Sequence, residues 1–212
     1  MKNREIIREA LISNTIRLIG SGGFEKATTK AIVSEGIADP NIRLNEVYIY
    51  RLFGSKDLLY AEVFSILDNE LFGVVRMFLK DFDDSYLPFR EKLHRFFNSM
   101  WGFLLSNEWR CRAYVRYYYS AYFCGRSLCE HRKLLYEQED FFAAIFKDES
   151  DVISLIHTTF MTMMDFAIRV YNGDLENAEE NAYHIFNLLY NSLSPYFDPV
   201  VLEGRRKTNN AS

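Results

Sequence analysis

Apolar side chains recur three and four positions apart along most of this chain, which is the spacing of helices that bury one face. Between residues 4 and 18, for example, Ile7, Leu11 and Leu18 share one side, and the glycine-rich step at 20–23 ends the helix. No segment alternates apolar and polar residues as a half-buried strand does. The pattern therefore predicts an all-α protein.

Two short helices are predicted after the first one. A hydroxyl group at Thr28 or Thr29 is placed to cap the second helix, which runs to about Glu35. The third covers residues 46–52 and begins after a candidate cap at Asn45. Its candidate inward residues are Val47, Ile49 and Phe53.

Longer helices are predicted from residue 55 onward. Ser55 is placed to cap a helix whose apolar stripe continues to about Leu79, and Pro88 fits the first position of the next one. Further helices are predicted over residues 88–105, 108–123, 128–146, 150–171 and 176–193, and Ser150-Asp151 is placed to cap the helix at 150–171. These elements indicate a small domain over 1–62, a larger one over 63–202 and a solvated tail over 203–212.

Composition narrows the class of protein. Hydrophobic residues make up 49% of the chain and charged residues 25%, which allows a sizeable core. Three cysteines, an odd number, do not suit a disulfide framework. The amino terminus lacks the apolar core of a signal peptide, and no run of 18 apolar residues occurs. We expect a cytoplasmic protein with no membrane span.

Charge is unevenly distributed along the chain. The formal net charge is −4, yet residues 1–60 hold nine Lys and Arg against seven Asp and Glu, or +2, which leaves −6 for the remainder. Basic groups need only cluster on one face to contact phosphates. A mildly basic amino-terminal domain is therefore compatible with nucleic-acid binding.

Three fragments of the first 65 residues occur in an informative order: Gly23-Phe24, Thr28-Thr29 and Tyr50-Arg51-Leu52-Phe53-Gly54-Ser55-Lys56. In this order and position they resemble the TetR family of bacterial transcriptional regulators. The resemblance implies a helix-turn-helix DNA-binding domain in 1–62 and a helical effector-binding and dimerisation domain in 63–202. It also implies a homodimer, built on the helices at 150–171 and 176–193, that binds a palindromic operator in double-stranded DNA.

The resemblance assigns roles to single residues of the motif, whose helices are 27–36 and 45–52. The second helix is expected to enter the major groove with its first residues at the base edges. The residues expected to face bases are Asn45, Glu46 and Tyr48, and those expected on the phosphate backbone are Thr28, Thr29, Tyr50 and Lys56. Arg43 and Arg51 join them on charge alone.

One departure from the family pattern lies between the two motif helices. The family joins them by a tight turn, whereas residues 37–43 lengthen the connection here. Asp39 in this insertion would repel phosphate, and Arg43 would attract it. The insertion either loops away from DNA or enlarges the contact surface.

Patterns for catalysis and metal binding are weak. The four histidines are scattered, and Cys124, Cys129 and His131 do not complete a four-ligand zinc pattern. The sequence has no phosphate-cradling glycine loop and no nucleophile elbow. We expect no enzyme activity, no cofactor and no metal site.

Aromatic residues are abundant, with 18 Phe, 14 Tyr and 2 Trp. They favour a thick aromatic core, and they also suit a pocket for a small apolar or aromatic effector. The candidate pocket residues are Trp101, Leu104, Tyr118, Tyr122, Phe160, Met161 and Met164.

Together these features predict a TetR-like DNA-binding regulator, a repressor that a small apolar or aromatic effector releases from its operator. An alternative of a different class is a helical interaction protein that uses the same scaffold to recruit a protein partner.

Overall fold

The computed structural model describes residues 2–36, 42–82, 87–148 and 150–203. Over these residues it contains helices and turns, with one isolated antiparallel bridge between Phe146 and Phe197, so the predicted all-α fold is confirmed. The helices are α1 (Lys2–Gly22), α2 (Thr29–Ser34), α3 (Glu46–Phe53), α4 (Lys56–Phe82), α5 (Phe89–Leu105), α6 (Glu108–Tyr118), α7 (Gly125–Tyr136), α8 (Glu139–Ala143), α9 (Val152–Tyr171), α10 (Glu179–Leu193) and α11 (Pro199–Leu202).

The helices form two compact units, and neither is continuous in sequence. The amino-terminal unit comprises the described residues of 1–70 and 107–131, and the carboxy-terminal unit those of 71–106 and 132–212. Two of their boundaries fall inside α4 and α7, and the third lies between α5 and α6. The boundary expected at residue 62 separates a DNA-binding part from an effector-binding part by function. That assignment stays a prediction.

The amino-terminal unit is built on α1, against which α2, α3 and α6 pack. Leu11 and Ile19 on α1 are fully buried. A Cβ atom added at Gly20 would lie 2.5 Å from the backbone carbonyl oxygen of Trp109 on α6. A glycine at position 20 is therefore what lets α6 approach α1 so closely.

Most of the predicted helix caps form. The Thr28 hydroxyl accepts from the Ala31 N–H at 3.1 Å, the Ser55 hydroxyl from the Leu58 N–H at 3.1 Å, and the Asp151 carboxylate from the Ser154 N–H at 3.0 Å. Asn45 stands at the predicted N-cap position of α3, but its side chain makes no capping bond to the described part of the chain. Pro88 likewise precedes its helix instead of opening it.

Two predicted helices are interrupted. The expected helix over 128–146 is two helices, α7 and α8, separated at Glu137 and Gln138, and Gln138 is buried in the break. The expected helix over 108–123 ends at Tyr118. There the Ser120 hydroxyl donates to the Tyr117 carbonyl at 2.7 Å, an alternative to continued helical bonding that serine side chains offer.

The carboxy-terminal unit is organised around α9, which packs against α5, α8 and α10. The chain after α10 turns back through a 3₁₀ turn, Ser194–Tyr196, and α11 packs on α5. Aromatic side chains fill this core. One buried cluster of this core comprises Phe82, Phe89, Ile145, Phe146, Phe197 and Val201.

Candidate DNA interface and effector cavity

Buried isoleucines and one side-chain amide fix the positions of α2 and α3 on α1. Ile32 on α2 and Ile49 on α3 are fully buried. The Asn14 side-chain amide on α1 donates to the carbonyl oxygens of Ile32 and Gly36, both at 3.0 Å, and so holds the end of α2. These contacts leave the opposite side of α3 facing outward.

The exposed face of α3 follows from the burial of Ile49. Successive residues of a helix are about 100° apart, so Val47 and Arg51 lie nearly opposite Ile49. Val47 is 68% exposed, and Arg51 and Tyr50 are also exposed. The prediction that Ile49 points inward is confirmed, whereas the prediction for Val47 is wrong. Phe53 is half-buried, with the Arg8 guanidinium 5.7 Å above its ring.

Tyr48 lies beside this face instead of on it. Its side chain is half-buried in a recess of about 160 Å³ that it shares with Arg4, Ile7, Arg51 and Leu52. The recess lies between α1 and α3. Of the expected base-facing residues, Asn45 and Glu46 are exposed and Tyr48 is not fully so.

Two expected DNA-contacting residues bond to each other. The Thr29 hydroxyl on α2 donates to the Glu46 carboxylate in the first turn of α3. This bond joins the two motif helices and directs the carboxylate toward α2. Thr28 is exposed while it caps α2.

Several basic side chains of α2, of α3 and of the segment before α3 are exposed. Arg43 and Arg51 are exposed, and so is Lys30 on α2, which the sequence reasoning missed although it follows Thr29 directly. Lys56 is half-buried, with its ammonium nitrogen 5.5 Å from the centre of the Tyr60 ring. Residues 37–41 of the insertion, including Asp39, lie outside the described residues.

Tyr60 on α4 anchors the start of α2. Its hydroxyl donates to the Ala27 carbonyl oxygen at 2.5 Å, and both residues are fully buried. The Tyr60 ring also packs on Phe24 and Tyr122, with ring centres 5.1 and 5.2 Å apart. Burial raises the pKa of Tyr60 well above its usual value, and the charges of Tyr122 and Asp57 add to the shift. The segment that carries Thr28 is thus tied to the core of the unit.

A buried polar cluster joins α4, α6 and α7 in the same unit. The Asp68 carboxylate lies 3.0 Å from Nδ1 of His131 and accepts from the Tyr114 hydroxyl at 3.1 Å. Burial, followed by the Asp68 charge, raises the pKa of Tyr114. In the described part of the chain no group of three or more His, Cys, Asp or Glu side chains could hold a metal ion.

The carboxy-terminal unit contains an apolar cavity of about 90 Å³. It lies among α4, α5, α8, α9 and α10, and its lining is almost wholly phenylalanine, leucine, isoleucine and methionine. The polar side chains in the lining are Thr159 and Tyr190, and the Thr159 hydroxyl donates to the Leu155 carbonyl at 2.8 Å. The apolar lining includes Phe78, Phe141, Phe142, Phe160 and Met163.

Of the seven expected pocket residues, Phe160 lines this cavity and the other six do not. Trp101, Leu104 and Met164 are buried elsewhere in the core of the same unit, and Met161 is half-buried on α9. Tyr118 and Tyr122 belong to the amino-terminal unit. The adjacent pair Phe141-Phe142 was the sequence signal for this cavity.

No helix within the described ranges is both long enough and apolar enough to cross a membrane. No family model matches the sequence, and no curated protein matches it either.

Solved structures do match. A TetR family transcription regulator from Marinobacter aquaeolei superimposes with a TM-score of 0.69 at 18% identity, covering 93% of this chain and 100% of that one. A TetR-like transcriptional regulator from a Rhodococcus species gives 0.61 at 19% identity, covering 90% and 96%. The fatty acid degradation regulator FadR from Bacillus halodurans gives 0.57 at 15%, covering 85% and 96%. The chain therefore has the fold of the TetR-family transcription regulators.

Proposed function

We propose that this protein is a cytoplasmic DNA-binding transcriptional regulator, a homodimeric repressor that a small apolar molecule releases from its operator. The observation that carries the proposal is the outward face of α3, where Val47 and Arg51 stand exposed opposite the buried Ile49 and Tyr50 is exposed beside them. A helix held in this way presents one side to a partner while its other side stays in the core. The likeness in fold to transcription regulators supports DNA as that partner.

The groups around α3 suit a phosphate backbone on either side of a groove. Arg43, Arg51 and Lys30 supply exposed positive charge, and Tyr50 supplies a hydroxyl on a ring that is 55% exposed. Most protein–DNA hydrogen bonds go to phosphate and sugar from side chains of these kinds, and such contacts set the register of the protein on the duplex. Lys56, at the start of α4, adds a further cation.

The cavity in the carboxy-terminal unit supports an uncharged, apolar effector. Its lining offers almost no group that could hydrogen-bond a ligand, and a charged ligand buried there would be poorly solvated. An engineered apolar cavity of about 150 Å³ accepts benzene, so about 90 Å³ suits a slender apolar group or requires the aromatic rings to move. One structural neighbour is named as a regulator of fatty acid degradation, which fits an acyl chain as the occupant.

Helix α4 gives a route from effector to DNA. The same helix supplies Lys56 at its first position and Phe78, a cavity residue, near its end. An effector that moves Phe78 would favour one of two positions of α4 and so shift the population of DNA-binding dimers.

Helices α9 and α10 are proposed to form the dimer interface. On α10, Leu188 exposes 51% of its surface, and a partner helix would cover this apolar side chain. A two-fold dimer presents two copies of α3 to two half-sites, which accounts for the expected palindrome.

The test is a mobility-shift titration of the full chain with DNA from upstream of its own coding sequence, against a shuffled duplex of equal length. The proposal expects specific retardation of the first duplex and a loss of affinity as salt rises, because binding releases the cations condensed on the phosphates. Equal and weak binding to both duplexes would contradict it and would favour the alternative, a helical protein that recruits a protein partner.

A further inference from the structure

One apolar side chain stands on the exposed face of α3. Val47, in the first turn, has 68% of its surface exposed, and it is the most exposed large apolar residue of that helix. Its neighbours one turn further on are Tyr50 and Arg51, both exposed. A surface that contacts these two side chains together would also cover Val47.

Local structure gives no reason for valine at this position. Valine is a poorer helix former than alanine or the long polar residues, because its branched side chain loses freedom against the preceding turn. Val47 also adds nothing to the core, since Ile49 fills the buried place of α3. A single exposed apolar residue is common on protein surfaces, so the position of Val47 between candidate DNA-contacting groups is what makes it informative.

We propose that Val47 recognises thymine, by packing its methyl groups against the 5-methyl group of a thymine base in the major groove. This makes it a specificity-determining residue of the proposed DNA-binding function, on which the inference rests. Each base edge in the major groove offers hydrogen-bonding groups, and thymine alone adds a methyl group. Valine has neither donor nor acceptor in its side chain, so covering the amino group of a cytosine or adenine would leave a donor unpaired.

The bond between Thr29 and Glu46 strengthens this assignment. Glu46 shares the first turn of α3 with Val47, and its carboxylate would suit the amino group of cytosine. Its bond to the Thr29 hydroxyl directs it toward α2 instead. Val47 is exposed in the same turn, and its side chain, with neither donor nor acceptor, makes no such bond to α2.

The size of the effect follows from the area of one methyl contact. Burying one methyl group is worth about fourfold in affinity, and two half-sites of a dimer give about fifteenfold when both methyl groups are removed. Removing the thymine methyl and removing the valine methyl groups should each abolish the same contact. Their effects should therefore not add.

The experiment begins with a duplex that the full-length chain selects from a random-sequence library. Each thymine of that duplex is then replaced by deoxyuridine, which removes only the 5-methyl group, and competitive titrations compare the duplexes. The wild-type protein should bind about fourfold more weakly when one particular thymine in a half-site is replaced. Val47→Ala should bind the thymine and uracil duplexes equally, and the control Val47→Ile, which keeps the apolar surface, should retain the discrimination.

The possible failures are distinguishable. If the library yields no enriched sequence, the proposed DNA-binding function fails, and this inference fails with it. If a sequence is enriched but uracil is tolerated at every position, or Val47→Ala keeps the preference for thymine, the role of Val47 is wrong while the DNA-binding function stands. Should Val47→Ala not fold, the uracil scan of the wild-type protein and of Val47→Ile decides the matter.

Discussion

Replacing Tyr60 by phenylalanine removes one buried hydrogen bond and little else. The hydroxyl donates to the Ala27 carbonyl at 2.5 Å, and the ring contacts with Phe24 and Tyr122 need no hydroxyl. Leaving a buried carbonyl without this donor should lower the free energy of unfolding by about 1–2 kcal/mol. At about 2–4 °C per kcal/mol for a chain of this size, the melting temperature should fall by roughly 2–8 °C.

The assay is urea denaturation followed by circular dichroism, with Tyr119→Phe as the matched control. Tyr119 is 70% exposed, and surface substitutions of this kind change stability by less than about 0.5 kcal/mol. If Tyr60→Phe and Tyr119→Phe were equally stable, the hydroxyl of Tyr60 would not hold Ala27 as described.

The same substitution has a pH signature. Because burial raises the pKa of Tyr60, the folded state keeps its proton after the unfolded chain has lost it. The stability that Tyr60 contributes is therefore fully present below about pH 10 and is lost above it, by about 1.4 kcal/mol per pH unit. The stability difference between the wild type and Tyr60→Phe should shrink as the pH rises above about 10. A difference that stays constant up to about pH 11 would refute this reasoning.

Three further predictions test the proposed function. Lys56→Ala should leave folding intact. In titrations with duplex DNA it should reduce the slope of log affinity against log salt by about 0.9 for each phosphate that the protein no longer neutralises. An unchanged slope would show that Lys56 does not contact a phosphate. Met163→Trp should fill the cavity, because Met163 is a buried lining residue. The variant should still bind DNA, but apolar effectors should no longer release it from DNA. If they still did, the effector would bind elsewhere. Leu188→Glu should convert the proposed dimer into a monomer, as measured by light scattering, because a charge would replace an exposed apolar side chain of α10. An unchanged molecular mass would show that the dimer interface lies elsewhere.

Helical periodicity was enough to predict the all-α fold, and the hydroxyl and carboxylate caps at Thr28, Ser55 and Asp151 followed from local chemistry. The break at Gln138 could not be predicted in the same way. No glycine or proline marks it, and the helix ends there in a unit where Phe141 and Phe142 reach the apolar cavity. Tertiary packing decided this boundary, and local sequence does not encode it.

The candidate DNA interface shows a similar limit. In α3, with eight residues, the apolar residues Val47, Ile49 and Phe53 are compatible with more than one buried face. Only the packing on α1 shows that Ile49 is the core residue and that Val47 is exposed. Most of the cavity lining was not predicted for a related reason, because it comes from five helices far apart in sequence.

Binding of a specific duplex by the outward face of α3 is the step on which the proposed regulator depends. Competition fluorescence anisotropy at physiological salt tests it, with the full-length protein, a labelled duplex from upstream of its own gene and an unlabelled shuffled competitor. We expect a preference of at least about a thousandfold for the first duplex. Displacement by the shuffled competitor at equal concentration would contradict specific binding.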